Sequence, residues 1–327
     1  MGKNILLMYS THKPSQSHFS KIKEIAQDFE VVVANSEEES IDLVRNSEII
    51  FGHRYLSQCL PSAHRLKWVQ TTAGGIDRLP LKLLREKGVL LTRTTVSSSA
   101  IARHAYTLAW ALVRRFPEYI FAQKQQKWNT TIETLPRPKT ALILGFGHIG
   151  RELLKLLKRD KIKVWGVKRM IDDHSKMLCD KLFDTLSWRQ VLPQVDLCFL
   201  CLPTNKYTKG IFDESALCAL PKHAVIVNVG RGDSLDTRTL IRLLKENSLG
   251  GAGLDVLYPQ PPFPNDPIWE TPNLIITPYV AARYPERAKD IEEYFEYQLK
   301  RYMNKGALEN IIDWNEVKID YETLLFK

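Results

Sequence analysis

Leu142-Ile143-Leu144-Gly145-Phe146-Gly147-His148-Ile149-Gly150-Arg151 is the stretch from which the rest of the chain can be read. It reads as a buried strand that runs into a glycine-rich turn and then a helix. Gly145 permits the tight turn, Gly147 lets the backbone approach a pyrophosphate, and Gly150 lets the helix pack closely on the sheet. His148 and Ile149 open that helix, whose N-terminus offers unpaired N–H groups and a positive dipole end to phosphates. Such a glycine pattern is weak by itself. Here it follows the apolar residues 141–144 and precedes Glu152-Leu153-Leu154-Lys155-Leu156-Leu157, an apolar face at helical spacing, so it predicts a dinucleotide site.

Working outward, strands are expected at 141–144, 163–167, 196–202, 224–229, 253–256 and 274–277, with helices in most of the gaps, one of them at 237–246. That series makes a complete dinucleotide-binding domain. Before it, strands at 5–9, 30–34, 48–52, 67–70 and 89–92 alternate with helices at 19–29 and 36–46, again the α/β alternation of a doubly wound parallel sheet. Residues 101–116 form a long helix with Ala, Leu and Trp on several faces, suited to packing within domain or subunit interfaces. Residues 284–303 read as a terminal amphipathic helix, and the tail after Gly306 carries no motif.

The totals fit this picture. A length of 327 residues suits two domains, and 44% hydrophobic with 25% charged residues is ordinary for a soluble globular chain. No apolar run approaches the roughly 20 residues of a membrane helix, and no signal peptide or lipidation motif opens the chain. A cytoplasmic protein without membrane association is expected. The net charge of +9 comes from scattered residues, densest over 155–169, so an anionic cofactor and substrate explain it better than nucleic acid. Cys198 and Cys201 have the spacing of a redox pair but lie on a buried strand, where residues three apart face opposite sides. No metal site is expected.

Three further places carry chemistry. After the second strand of a dinucleotide domain, an acidic residue binds a ribose 2′-hydroxyl and an arginine favours a 2′-phosphate. Here that position reads Val167-Lys168-Arg169-Met170, which favours NADP, with NAD as the alternative. A solvated basic turn with Asp172 or Asp173 reaching back is the competing reading. Arg231, in Asn228-Val229-Gly230-Arg231-Gly232-Asp233, falls at the carboxyl end of a strand, where its guanidinium can grip a carboxylate and a neighbouring carbonyl with parallel hydrogen bonds. Gln70-Thr71-Thr72-Ala73-Gly74-Gly75-Ile76-Asp77 is a small-residue turn whose successive N–H groups can hold a carboxylate.

From about residue 48 to 300 these motifs, in order, resemble the D-isomer-specific 2-hydroxyacid dehydrogenases. The resemblance includes residues 66–77, the glycine turn, Leu202-Pro203-Thr204 with Thr208-Lys209-Gly210, and residues 228–232. Gly253-Leu254-Asp255-Val256 and residues 272–278 complete it. It implies two doubly wound parallel-sheet α/β domains, Rossmann-like and flavodoxin-like, with an active-site cleft between them. Residues 1–100 plus 287–327 would form the substrate lobe and 101–286 the dinucleotide-binding domain, with a homodimer formed largely through the latter. It assigns Arg231 to the carboxylate and carbonyl of a small 2-keto or 2-hydroxy acid, and Ala73, Gly74 and Gly75 to the carboxylate. To the cofactor it assigns Leu202, Pro203, Thr208, Val229, Gly230 and, at the nicotinamide end, Asp255.

Two positions depart from the family pattern, and they are the catalytic ones. Tyr279 stands where the family has a histidine acid/base, and Gln260 where a glutamate usually partners it; Arg103 also replaces a common glutamate before His104. Tyrosine, with an ordinary pKa of about 10, is protonated at neutral pH and can donate a proton. A carboxylate neighbour would raise that pKa by like-charge repulsion, so a neutral Gln260 is compatible with it. Three readings follow: a reductase of glyoxylate-like or hydroxypyruvate-like acids with Tyr279 as donor; a catalytically weak, dinucleotide-sensing scaffold; or another donor, His104 or Tyr284, or a different substrate.

Overall fold

The computed structural model describes residues 3–9, 14–314 and 317. The chain divides into two compact units, Met1–Ser97 with Tyr284–Lys327, and Ser98–Arg283.

Unit 1 is built on five parallel strands: β1 (Lys3–Met8), β2 (Phe29–Val33), β3 (Ser47–Gly52), β4 (Trp68–Gln70) and β5 (Leu90–Thr92), in the order β2-β1-β3-β4-β5. Alternate side chains supply two cores. Leu6, Met8, Ile50, Val69 and Leu91 enter one, and Ile5, Leu7, Ile49, Phe51 and Trp68 the other. A parallel sheet covered on both faces favours strands with near-continuous apolar runs, and Ile5–Met8 of β1 and Ile49–Phe51 of β3 supply them. The C-terminal helix Arg287–Met303 closes the second face: Phe295 stacks on Phe51 with ring centroids 4.1 Å apart. The helix expected at 19–29 instead spans Gln16–Ile25, because the Ser15 side chain accepts from the His18 N–H and caps it earlier.

Unit 2 carries seven parallel strands: β6 (Thr140–Leu144), β7 (Lys163–Val167), β8 (Lys181–Phe183), β9 (Leu197–Leu200), β10 (Val225–Asn228), β11 (Gly251–Leu254) and β12 (Leu274–Ile276). Their order is β12-β11-β10-β9-β6-β7-β8, so the winding reverses at β6, and the crevice at its carboxyl end is where such sheets bind ligands. β8 was not expected: Lys-Leu-Phe is too short to show an alternation, and pairing with β7 defines it.

The helix expected at 101–116 spans Ser98–Val113 and is buried on one face only, through Ala102, Ala105, Leu108, Ala109, Leu112 and Val113. Leu108 and Leu112 pack over Gly253 and Gly251 of β11, where the missing side chains leave room. Arg115, at φ 60°, breaks the run, and a second helix, Phe116–Lys124, exposes Phe116, Ile120 and Phe121. Cys198 belongs to one core of unit 2, whereas Cys201 packs on the other. Burial pushes both thiols up, Cys201 to about 12, which leaves them unreactive near neutral pH.

Candidate functional site

The glycine turn lies at the carboxyl end of β6. Gly145, at φ 94°, sits where a Cβ would come within 2.6 Å of the Cys201 carbonyl oxygen, so only glycine lets the turn lie against the end of β9. A Cβ on Gly150 would likewise lie 2.8 Å from the Gly145 carbonyl, which makes the helix His148–Arg159 start directly on the turn. The Gly145 and Phe146 amides donate to the Val167 carbonyl, both at 3.1 Å, and hold the turn in place. Gly147 is the N-cap residue, with open space where a Cβ would stand. The first-turn amides beyond it, Ile149 and Gly150 among them, have no carbonyl one turn back. A dinucleotide pyrophosphate fits this helix N-terminus, with open space at Gly147.

At the end of β7, Lys168 pairs with the Asp172 carboxylate. Asp172 also caps the helix Asp173–Leu178 by accepting from the Ser175 N–H at 2.8 Å. The lysine and these hydrogen bonds hold the Asp172 carboxyl well below the usual carboxylate range. Asp172 does reach back to this turn, therefore, but its target is Lys168. Arg169 beside it is exposed.

Leu202 and Pro203 follow β9 next to the glycine turn. The Thr208 hydroxyl is occupied within their loop, donating to the Pro203 carbonyl at 2.6 Å and accepting from the Asn205 N–H at 2.9 Å. Thr204 fastens the loop to the Asp233 carboxylate at 2.6 Å.

Asn228, at the end of β10, shapes the arginine loop. Its side chain donates to the Arg231 carbonyl at 2.9 Å and accepts from the Gly230 N–H at 3.0 Å. Val229 and Gly230 are buried beneath it, and the Arg231 side chain is half-buried. The role of Asn228 had no separate signal in the sequence, since it emerges only when the loop closes on itself.

Asp255 follows β11 and is 3% exposed. One carboxylate oxygen accepts from the Thr277 hydroxyl at 2.7 Å and the Val280 N–H at 2.9 Å, the other from the Ala281 N–H at 3.1 Å. The Tyr279 N–H donates to the Asp255 backbone carbonyl at 3.0 Å. This wraps residues 277–281 around one carboxylate and turns Tyr279 into the left-handed region, at φ 57°, with its side chain exposed. A tyrosine with positive φ is uncommon and persists where surrounding bonds over-determine it. Both oxygens of Asp255 are thus engaged by this turn. Gln260 is exposed in the loop after Val256.

The two other candidate donors are committed elsewhere. His104 Nε2 lies 2.9 Å from the Thr277 hydroxyl oxygen. That hydroxyl gives its proton to Asp255, so the His104 ring N–H donates to it. Tyr284, in unit 1, donates to Asp290 at 2.8 Å, and burial followed by that carboxylate pushes its phenol up to about 12.

In unit 1 the small-residue turn follows β4. The Ala73 N–H donates to the Thr71 hydroxyl at 3.0 Å, and Gly74 and Gly75 are exposed.

Asp255→Ala would leave the Thr277 hydroxyl and two amides without an acceptor. We expect a loss of about 3 kcal/mol or more of stability in denaturant unfolding of the full chain. Asp255→Asn, which keeps one acceptor oxygen, should lose less.

The sequence profile for D-isomer specific 2-hydroxyacid dehydrogenase, NAD binding domain, matches residues 106–281, more than half of the chain. The chain is 26% identical to a glyoxylate reductase of Thermococcus kodakarensis over 280 residues, covering 83% of both proteins. It is 25% identical to a glyoxylate reductase of Pyrococcus furiosus over 316 residues, covering 91% of this chain and 93% of that one. Its fold is similar to that of a D-isomer specific 2-hydroxyacid dehydrogenase from Xanthobacter autotrophicus, solved in complex with NADPH and MES. The TM-score is 0.78 at 21% identity, covering 95% of this chain and 98% of that one. With its two parallel α/β sheets and nucleotide cradle, the chain belongs to the D-isomer-specific 2-hydroxyacid dehydrogenase family and is an NAD(P)-dependent oxidoreductase of that type.

Proposed function

We propose that the protein reduces a small 2-keto acid, of the size of glyoxylate or hydroxypyruvate, to the corresponding 2-hydroxy acid. Arg231 holds the carboxylate and the carbonyl oxygen through paired, charge-assisted hydrogen bonds. When bound at the glycine turn, a reduced nicotinamide would supply the hydride for the carbonyl carbon. Tyr279 gives its phenolic proton to the carbonyl oxygen as negative charge develops there. Gln260, exposed in the loop after Val256, is the neutral residue assigned to partner Tyr279.

The observation that carries this reading is the turn around Asp255. It holds Tyr279 in a left-handed conformation with the phenol exposed, at the sheet edge that also bears Arg231 and the glycine turn. Tyr279→Phe should lower kcat by about 10²–10⁴-fold with little change in KM, followed as NADPH oxidation across a panel of 2-keto acids. Unchanged turnover would remove Tyr279 from the chemistry. Saturable cofactor binding with no turnover on any keto acid would favour the scaffold reading.

NADPH is the preferred cofactor on this reading. Lys168 neutralises Asp172, the carboxylate placed to reach the ribose, while Arg169 supplies a cation at the end of β7. Arg169→Ala should cut the NADPH-to-NADH ratio of kcat/KM by about tenfold, the loss of one charge-assisted hydrogen bond. An unaltered ratio would place the discrimination elsewhere.

The partner is a second copy of the chain, and the exposed Phe116, Ile120 and Phe121 are the apolar face available to it. Such a patch marks an interaction surface. Sedimentation should give a dimer that Phe121→Glu weakens; a monomeric parent protein would refute the assignment. The free cysteines suit a reducing compartment and hence the cytoplasm.

A further inference from the structure

The sheet of unit 2 has a second edge. The carboxyl ends of its strands carry the glycine turn, Arg231 and Tyr279, and the amino ends lie a strand's length away. Lysines mark that far edge. Lys181 opens β8, Lys163 opens β7, Lys139 directly precedes β6, and Lys222 stands shortly before β10. The strands are ordered β10-β9-β6-β7-β8 here, so the four lysines form a row interrupted only at β9. With strands about 4.8 Å apart, the row is roughly 19 Å long. All four residues are exposed.

The backbone fixes the row, and the acids of this edge are turned onto the fold. The Lys163 N–H donates to the Lys139 carbonyl at 2.9 Å. One Asp196 oxygen accepts from the Lys139 and Thr140 N–H groups, both at 2.8 Å, and the other lies 2.7 Å from His223 Nε2. Asp180 accepts from the Val164 N–H at 2.8 Å, and Asp160 from the Tyr106 hydroxyl and, at 3.2 Å, the Trp110 indole. Among the described residues no ion pair engages Lys139, Lys163, Lys181 or Lys222.

The helix His148–Arg159 ends beside the row and adds Lys158, Arg159 and Lys161, all exposed. The negative end of the helix dipole accounts for Lys158 and Arg159. It does not account for lysines at the starts of strands. Nor does the cofactor. Of the basic stretch 155–169, only Lys168 and Arg169 stand at the carboxyl end of β7, whereas residues 158–163 stand at the opposite edge from the glycine turn. Unpaired like charges in a row repel one another, and a partner of opposite charge removes that cost.

We infer that the amino edge of this sheet is a docking surface for a nucleic acid, held through its phosphate backbone without reading of its bases. A lone carboxylate is served by one lysine. A row of cations set at strand spacing matches a partner whose negative charges recur at short, regular intervals, and a DNA duplex carries one per about 1.7 Å of its axis. Lysine acts as a point charge on a flexible stem, which suits phosphate contacts that carry no sequence information. The inference is independent of the reductase reading, since it uses neither the substrate nor the cofactor.

The test is fluorescence anisotropy of a short labelled DNA duplex of arbitrary sequence, titrated with the full chain at several salt concentrations. Binding should persist in saturating NADPH, and log Kd should rise linearly with log salt. Lys139→Gln with Lys163→Gln should reduce that slope by about two and weaken binding by about tenfold or more at low salt. Lys139→Arg with Lys163→Arg, which keeps both charges, should bind as the parent does. Lys23→Gln with Lys289→Gln removes the same net charge from unit 1 and should leave the slope unchanged. If circular dichroism shows the first double variant unfolded, Lys222→Gln, outside any strand, repeats the test with a slope change of about one. No binding, displacement of the duplex by NADPH, or equal weakening by the unit 1 variant would overturn the inference. So would tighter binding of polyglutamate or of phosphatidylserine vesicles than of DNA, which would make the partner an acidic protein or a membrane.

Discussion

The buried carboxylate of Asp255 is the constraint on which the reactive edge of unit 2 depends. A charge this far from water must have its oxygens satisfied by donors, or its burial would cost several kcal/mol. The donors come from the segment directly after β12: a threonine hydroxyl and two backbone amides. Meeting all three forces the chain to curl, and the curl puts Tyr279 at positive φ. Strain at that residue is thus offset by hydrogen bonds made two residues before it and one and two residues after it. His104 extends the same network from the helix Ser98–Val113, donating to Thr277 and so setting which way that hydroxyl points.

The parallel sheet explains why the other groups stand nearby. Every strand of unit 2 ends on one edge, so the residues that follow β6, β9, β10, β11 and β12 are delivered to it together. The winding reversal at β6 leaves a crevice there, and the close approach of Gly145 to Cys201 draws two of the loops into contact. The loops are then stiffened by their own side chains, Thr208 in one and Asn228 in another. These bonds reduce the freedom of the loops that carry Leu202, Pro203 and Arg231.

Charge is managed in the same local way. Lys168 is paired with Asp172 within one turn, so the chain's net positive charge does not translate into a free lysine at the end of β7. In unit 1 the Arg287 guanidinium is bound to neutral oxygens, and burial followed by its charge lowers the pKa of His53.

The sequence by itself determined the two α/β units, the glycine turn with its phosphate-facing helix, and the positions of Arg231 and Tyr279 at strand ends. Apolar runs, their period and glycine spacing are properties of ten to twenty neighbouring residues. Only the tertiary structure decided that β8 is a strand, that Arg115 ends the long helix, and that the Ala73 amide and the Thr208 hydroxyl are already occupied. It also decided the turn around Asp255 and the approach of His53 to Thr71. Those depend on residues 22 apart for Asp255 and Thr277, 173 apart for His104 and Thr277, and 18 apart for His53 and Thr71. Hydrogen bonds across such separations exist only once strand order and register have brought the partners together, and no local pattern records which donor will meet which acceptor.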